Sequence, residues 1–208
     1  MIAAYSMAPS KFSYSERRAY ELVTRVTDVA IASAMLLAVG PVLGVAAIAI
    51  KLEDRGPILF KQRRVGRFGR LFDVYKLRTM RVDKCGDAPS PTSKRDPRIT
   101  GVGAFLRKTS IDELPQLVNV LNGTMALVGP RPEQPFHVRN YEPWQNLRLF
   151  AKPGITCFWQ IRCRSRVPLN KPEATVHDLE YIGKASPITD GKILFKTIGA
   201  VFSSQGAY

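Results

Sequence analysis

Apolar and polar positions are shared out unevenly along the chain. Over residues 13–27, Tyr20, Leu22, Val23 and Val26 alternate at helical spacing with Glu16, Arg17, Arg18 and Arg25. That pattern predicts an amphipathic helix, with Ser13 or Ser15 to cap it. Then come 22 residues without a charge, Val29 to Ile50, bounded by Asp28 and Lys51. A bilayer requires about 20 apolar residues, so the length suffices for a span. Gly40–Pro41 sits in the middle, where proline removes a helical hydrogen bond and clashes with the preceding turn. Both flanks are basic, with Lys11, Arg17, Arg18 and Arg25 before and Lys51, Arg55, Lys61, Arg63, Arg64, Arg67 and Arg70 after. Positive flanks favour the cytoplasmic side, here for both ends. Two half-helices, Val29–Val39 and Val42–Ile50, entering the membrane and returning, satisfy both facts. A straight span and a buried helix of a soluble fold are the alternatives.

Beyond the apolar stretch the pattern shortens. Gly56–Pro57 marks a turn, and Ile58–Arg63 and Leu71–Leu77 read as a strand pair joined through Gly66 and Gly69. Asp83–Pro97, with three prolines and a glycine, reads as a loop, and Phe105–Lys108 ends a short apolar element. Leu117–Leu121 starts a helix stopped near Asn122–Gly123, and Met125–Val128 is a short buried strand or turn. Residues 136–150 predict an amphipathic helix bearing Trp144, Leu147 and Phe150. Gly191–Phe202 predicts another, with Ile193, Leu194, Ile198, Val201 and Phe202 opposite Lys192 and Lys196. It either lies on a membrane surface or closes the core. No repeat and no second globular domain is visible.

Composition narrows the partners. Thirty-one Lys and Arg against 17 acids, a formal charge of +14, imply an anionic partner: nucleic acid, a phosphorylated substrate or an anionic lipid surface. Cys85, Cys157 and Cys163 form no even framework and no C-x-x-C, which favours a reducing compartment. With His137 and His177 the only histidines, the chain lacks the ligands of a zinc site. A metal here would be Mg2+ or Mn2+ on carboxylates and phosphates.

Against that positive background one acidic pair stands out. Asp112 and Glu113 are the only carboxylates between Asp96 and Glu133, a span that also holds Arg98, Arg107, Lys108 and Arg131. Adjacent carboxylates repel, and one drifts towards neutrality unless cations or a metal hold both. Ser110-Ile-Asp-Glu113 fits an S-x-x-E capping box, which would make the pair structural. Pro115 disfavours a helix that starts at Ile111, because proline prefers the first helical position. A start at Leu114 or Pro115 leaves the pair at the helix mouth, where backbone donors attract anions. An ionised aspartate beside a metal-holding carboxylate suits aspartyl-phosphate chemistry.

Longer motifs surround the pair. Arg107-Lys-Thr-Ser-Ile-Asp-Glu-Leu-Pro-Gln116, Asn119-Val-Leu-Asn-Gly123 and Leu127-Val-Gly-Pro-Arg-Pro-Glu133 run in order. With them stand Phe60-Lys-Gln-Arg63, Tyr75-Lys-Leu-Arg-Thr-Met80, Asp96-Pro-Arg-Ile-Thr100 and Lys152-Pro-Gly-Ile-Thr156 with Trp159-Gln160. Together they resemble the bacterial polyprenyl-phosphate sugar-1-phosphate transferases, in the short exopolysaccharide-type form, from about Arg25 to the C-terminus.

The resemblance implies an α+β monotopic membrane protein with an N-terminal re-entrant helix hairpin and a small helix-rich cytoplasmic catalytic domain. Residues 1–27 would be the amphipathic helix, 28–51 the re-entrant membrane helix broken at Gly40 and Pro41, and 52–208 the catalytic domain with interfacial helices. It implies transfer of a sugar 1-phosphate from a UDP-sugar to undecaprenyl phosphate at the inner membrane, with Mg2+ (or Mn2+) and release of UMP. UDP-glucose or UDP-galactose is the implied donor, and later glycosyltransferases take the product. Nucleic acid is not an implied partner, and the oligomeric state is left open. Asp112 matches the family's nucleophile and Glu113 its Mg2+-holding residue. Arg107 and Arg131 match cationic positions for phosphoryl oxygens, with Lys76 and Arg78 as further candidates. Glu133 either assists the metal or pairs with an arginine, and Asp28 anchors the membrane helix. Cys157 and Cys163 replace the usual glycines, and Ser186-Pro-Ile-Thr-Asp190 is less aromatic than the usual stretch. The rival reading is a non-catalytic basic adaptor on anionic lipid or nucleic acid, with Asp112–Glu113 only a cap.

Overall fold

The computed structural model describes residues 14–81, 96–163, 167–169 and 171–202. Ser13, Cys85 and nearly all of the loop expected over Asp83–Pro97 lie outside them. The fold mixes helices and short strands behind one long apolar N-terminal helix, α1 (Tyr14–Asp54). By length and composition α1 is able to cross a membrane.

α1 differs from expectation in one respect. Gly40 and Pro41 lie inside an uninterrupted helix, where two half-helices are expected, and the expected segments 1–27 and 28–51 meet within it. The physical reason is tertiary. One face of α1 packs on the rest of the protein on both sides of Pro41: Ala32, Leu36 and Val39 before it, Leu43, Ala46 and Ile50 after it. That burial offsets the hydrogen bond lost at proline, a cost of about 3 kcal/mol. The opposite face exposes Leu22, Val26, Leu37, Ile48 and Leu52.

Charged residues on the packed face fasten both ends of α1. Arg25 donates to the carbonyls of Val120 and Leu121 (2.5 and 2.7 Å), and the buried Asp28 accepts from the Leu127 amide (3.2 Å). At the far end Glu53 accepts from the amides of Gly101 and Val102 (2.7 and 3.1 Å), the first turn of α2 (Gly101–Lys108). Arg25 thus adds a donor to carbonyls at the end of α3 (Gln116–Leu121), and Glu53 satisfies orphan amides at the start of α2.

β1 (Leu59–Val65) and β2 (Leu71–Leu77) pair as an antiparallel hairpin, turned at Gly69 with φ +75°. Its free edge is held by a side chain. The buried Asn119 of α3 accepts from the Tyr75 amide (3.0 Å) and donates to the Asp73 carbonyl (2.7 Å). This ties β2 to the segment carrying the acidic pair. β3 (Ala126–Val128) pairs in parallel with β4 (Gly154–Thr156). A Cβ on Gly154 would lie 2.1 Å from the Gly129 nitrogen, so this approach requires glycine.

The stretch 136–150 is not one helix. α4 (Pro135–Val138) ends before Pro143, which opens a separate 3-10 segment, Pro143–Phe150. Proline suits a first turn and interrupts an interior, which explains the division. α5 (Phe158–Arg162), α6 (Pro172–Lys184) and α7 (Pro187–Phe202) complete the chain. α7 closes the core with Ile193 while leaving Ile188, Phe195 and Ile198 exposed.

Candidate functional site

The acidic pair sits on a 3-10 turn, Ile111–Glu113, between α2 and α3. Ser110 enters it with φ +58°, a left-handed conformation that costs a residue with a Cβ roughly 1–2 kcal/mol. Its hydroxyl makes no capping bond, so the S-x-x-E box is not formed. Pro115 stands just ahead of α3, which leaves Asp112 and Glu113 at the helix mouth.

The two carboxylates have different surroundings. Glu113 pairs with Lys76 (2.9 Å) and takes a two-pronged contact from Arg131, whose Nη1 also reaches Gln160 (3.4 Å). Asp112 is buried, and its carboxylate takes no hydrogen bond from any described residue. Burial and the adjacent Glu113 push Asp112 up to about 6, against the pull of Lys76, Arg107 and Arg131. Burial lowers Lys76 despite Glu113, whereas Arg131, also opposed by burial, is raised by Glu113. A carboxylate left bare beside a second one locked by cations is available to attack an electrophile.

Arg131 is presented by a loop held through its carbonyls, since its two prolines have no N–H to offer. Pro130 O accepts from Gly154 N (3.0 Å), Arg131 O from Arg148 (2.9 Å), Pro132 O from Arg64 (3.2 Å) and Glu133 O from Val65 N (2.9 Å). The Glu133 side chain has partners other than those of Glu113. It pairs with Arg148 (2.9 Å) and accepts from Tyr141 (3.1 Å), while Arg148 also meets Asp178 (2.5 Å). Of its two expected roles, the structure therefore shows the arginine partnership. This buried Arg148–Glu133–Asp178 cluster went unpredicted, because its members lie 15 and 30 residues from Arg148 with no local spacing to signal them.

Arg78 does not join the site. It is buried against Asp54 at the end of α1 (2.6 Å), which makes it a fastening for that helix. Arg107, in the last turn of α2, is half-buried and close enough to lower Asp112 electrostatically. Cys157 is fully buried beside Trp159 and Ala174, so its bulk enters the core and not an open pocket. Next to the acidic pair an apolar groove of about 610 Å3 opens between α1 and α2, lined by Val42, Val45 and Ala46, by Val102 and Phe105, and by Ile111 beside Asp112.

Known proteins resemble this sequence. Residues 19–204 match the sequence model of the family described as "Bacterial sugar transferase". The chain is 42% identical over 193 residues to the UDP-glucose:undecaprenyl-phosphate glucose-1-phosphate transferase of Escherichia coli (strain K12), covering 90% of this chain and 42% of that protein. It is 40% identical over 211 residues to the undecaprenyl-phosphate glucose phosphotransferase of Komagataeibacter xylinus, 96% of this chain and 38% of that one. The chain thus spans about two fifths of the length of these two relatives. Against the exopolysaccharide production protein PSS of Rhizobium leguminosarum bv. phaseoli it is 40% identical over 189 residues, 85% of this chain and 94% of the relative.

Proposed function

The chain belongs to the bacterial sugar transferase family, and we propose that it transfers a sugar 1-phosphate from a UDP-sugar to undecaprenyl phosphate. An Asp112 oxygen attacks the sugar-bearing phosphorus, and the anhydride bond breaks with its electron pair leaving on UMP. An oxygen of undecaprenyl phosphate then attacks the same phosphorus. The bond to Asp112 breaks, its carboxylate is regenerated, and undecaprenyl diphospho-sugar leaves for later glycosyltransferases.

The observation that carries this reading is the bare, buried Asp112 carboxylate beside a cation-locked Glu113. Arg131 and Lys76 offset phosphoryl charge, and the guanidinium is suited to two oxygens at once. The apolar groove beside Ile111 fits the first units of a prenyl chain whose phosphate reaches Asp112.

Mg2+, or Mn2+, fits this donor set. No group of three or more His, Cys, Asp or Glu converges among the described residues, and Mg2+ commonly needs only one or two carboxylates plus substrate phosphates. Glu113 would hold it in exchange for part of its contact with Lys76 and Arg131. When bound, it would supply positive charge to offset that of the substrate diphosphate.

The test supplies the purified chain with radiolabelled UDP-glucose or UDP-galactose, undecaprenyl phosphate and Mg2+. Labelled lipid and an equal amount of UMP are expected, and EDTA should stop both. No labelled lipid from any UDP-sugar would defeat the reading.

We place the protein on the cytoplasmic face of the inner membrane, with the outward faces of α1 and α7 in the lipid. What supports one-sided seating is that Arg25 and Glu53, near opposite ends of α1, both bond to the same body. Cysteines introduced at Arg18 and Arg70, with native cysteines replaced, should react with an impermeant reagent from the same side of sealed vesicles. Labelling from opposite sides would mean a span.

A further inference from the structure

We infer that Arg64, oriented by Gln62, is a second anion-binding guanidinium of this site, gripping the donor's diphosphate together with Arg131. The inference rests on the sugar-phosphate transfer reading and deepens it.

Strand parity brings Arg64 to the site. In the β1–β2 register Phe60 faces Lys76, Gln62 faces Val74 and Arg64 faces Phe72. Residues directly opposite share a face, and alternate residues along a strand do too. Gln62 and Arg64 therefore project from the same side of the hairpin as Lys76, the side that meets Glu113. The neighbouring Arg63 is on the other side, in an exposed pair with Asp73 (2.9 Å).

The hydrogen bonds of Arg64 leave one edge of it open. A guanidinium has five N–H donors. Nε and Nη2 both donate to Gln62 Oε1 (3.2 and 2.6 Å), and Nη1 donates to the Pro132 carbonyl (3.2 Å). One N–H on each of Nη1 and Nη2 remains to donate to phosphoryl oxygens. Among the described residues no carboxylate lies within ion-pairing distance of Arg64, although the side chain is half-buried. Burial and the nearby Arg131 lower this guanidinium to about 10, against the pull of Glu133 and Glu113. Arg64 bonds the carbonyl of Pro132, next to Arg131 in the loop, and a dianion bridging the two guanidiniums would relieve their repulsion. The diphosphate of a nucleoside diphospho-sugar carries two charges on adjacent phosphoryl groups. A lipid phosphate offers the same oxygens on a single group, so the two sources need separate readouts.

The experiment uses the full chain in lipid nanodiscs. It measures binding of inorganic pyrophosphate and, separately, KM for UDP-sugar and for undecaprenyl phosphate. Arg64→Gln should weaken pyrophosphate binding and raise the donor KM, each at least tenfold, with acceptor KM unchanged. Arg64→Lys, keeping charge without the fork, and Gln62→Leu, keeping the fork without its support, should fall in between. They carry the test should Arg64→Gln fail to fold. Wild-type pyrophosphate affinity in all three variants, or a rise in acceptor KM alone, overturns the inference while leaving the transfer reading standing. Arg64-dependent pyrophosphate binding by a chain that transfers no sugar phosphate would support an anion site and sink the transfer reading instead.

Discussion

Replacing Asp112 with asparagine is expected to abolish product, a loss of about 10^4-fold or more, because the amide keeps the shape and removes the attacking oxygen. Folding should not suffer. The carboxyl is buried and its folded pKa, about 6, lies above the unfolded value, so the charged form is the costly one. That penalty is absent at low pH and grows as pH rises through about 6, reaching on the order of 2–3 kcal/mol. Asparagine is neutral at every pH, and its melting temperature at pH 8 should equal or exceed that of the wild type. The same shift gives wild-type activity an acid limb. Below about pH 6 Asp112 protonates, and on the proposed reading kcat/KM for the donor should fall about tenfold per unit. Sustained lipid diphospho-sugar synthesis by Asp112→Asn would remove Asp112 from the chemistry. A phosphosugar trapped on the wild-type chain and missing from the variant would fix its role.

What was legible in the sequence was what short-range patterns encode. The hairpin follows from alternation with Gly66 and Gly69 between its strands, and Pro115 correctly moves the start of α3 past the acidic pair. Pro41 shows where such a rule yields. Its effect on an isolated helix is real, but residues on both sides of it pack against the same body, and the helix continues. Arg78 shows a second limit. It lies two residues beyond Lys76, yet the strand ends at Leu77 and the side chain turns to Asp54, far back along the chain. Ion pairs of that kind have no local period to read. Arg64 was hidden differently, as one of many arginines in a basic stretch until strand register separated its face from that of Arg63. The mixture of helices with a short strand pair and the place of the acidic pair ahead of α3 were thus available from order and spacing, whereas the partners of each charge required the tertiary structure.

The largest effect on stability is expected from Arg148→Met. Arg148, Glu133 and Asp178 have side chains only 2%, 3% and 0% exposed, so removing the cation leaves two carboxylates buried without it. Breaking such a cluster costs about 3–5 kcal/mol, equivalent to a melting temperature lower by roughly 10 °C for a chain of this size. The sign with pH follows from Asp178. Burial raises it to about 6 even with Arg148 beside it, and loss of that cation raises it further. Protonation relieves the variant, so its deficit should be larger at pH 8 than at pH 5, as differential scanning fluorimetry would show. Removing all three charges, Arg148→Met with Glu133→Gln and Asp178→Asn, should recover much of the loss, since a neutral cluster has no ion to desolvate. Recovery of folding need not restore function. Arg148 also holds the Arg131 carbonyl at 2.9 Å, and the neutral triple variant lacks that bond. It should therefore melt near the wild type yet bind the UDP-sugar more weakly, which separates the cluster's contribution to folding from its positioning of Arg131. A melting temperature unchanged in Arg148→Met at both pH values would show that the cluster contributes nothing to stability.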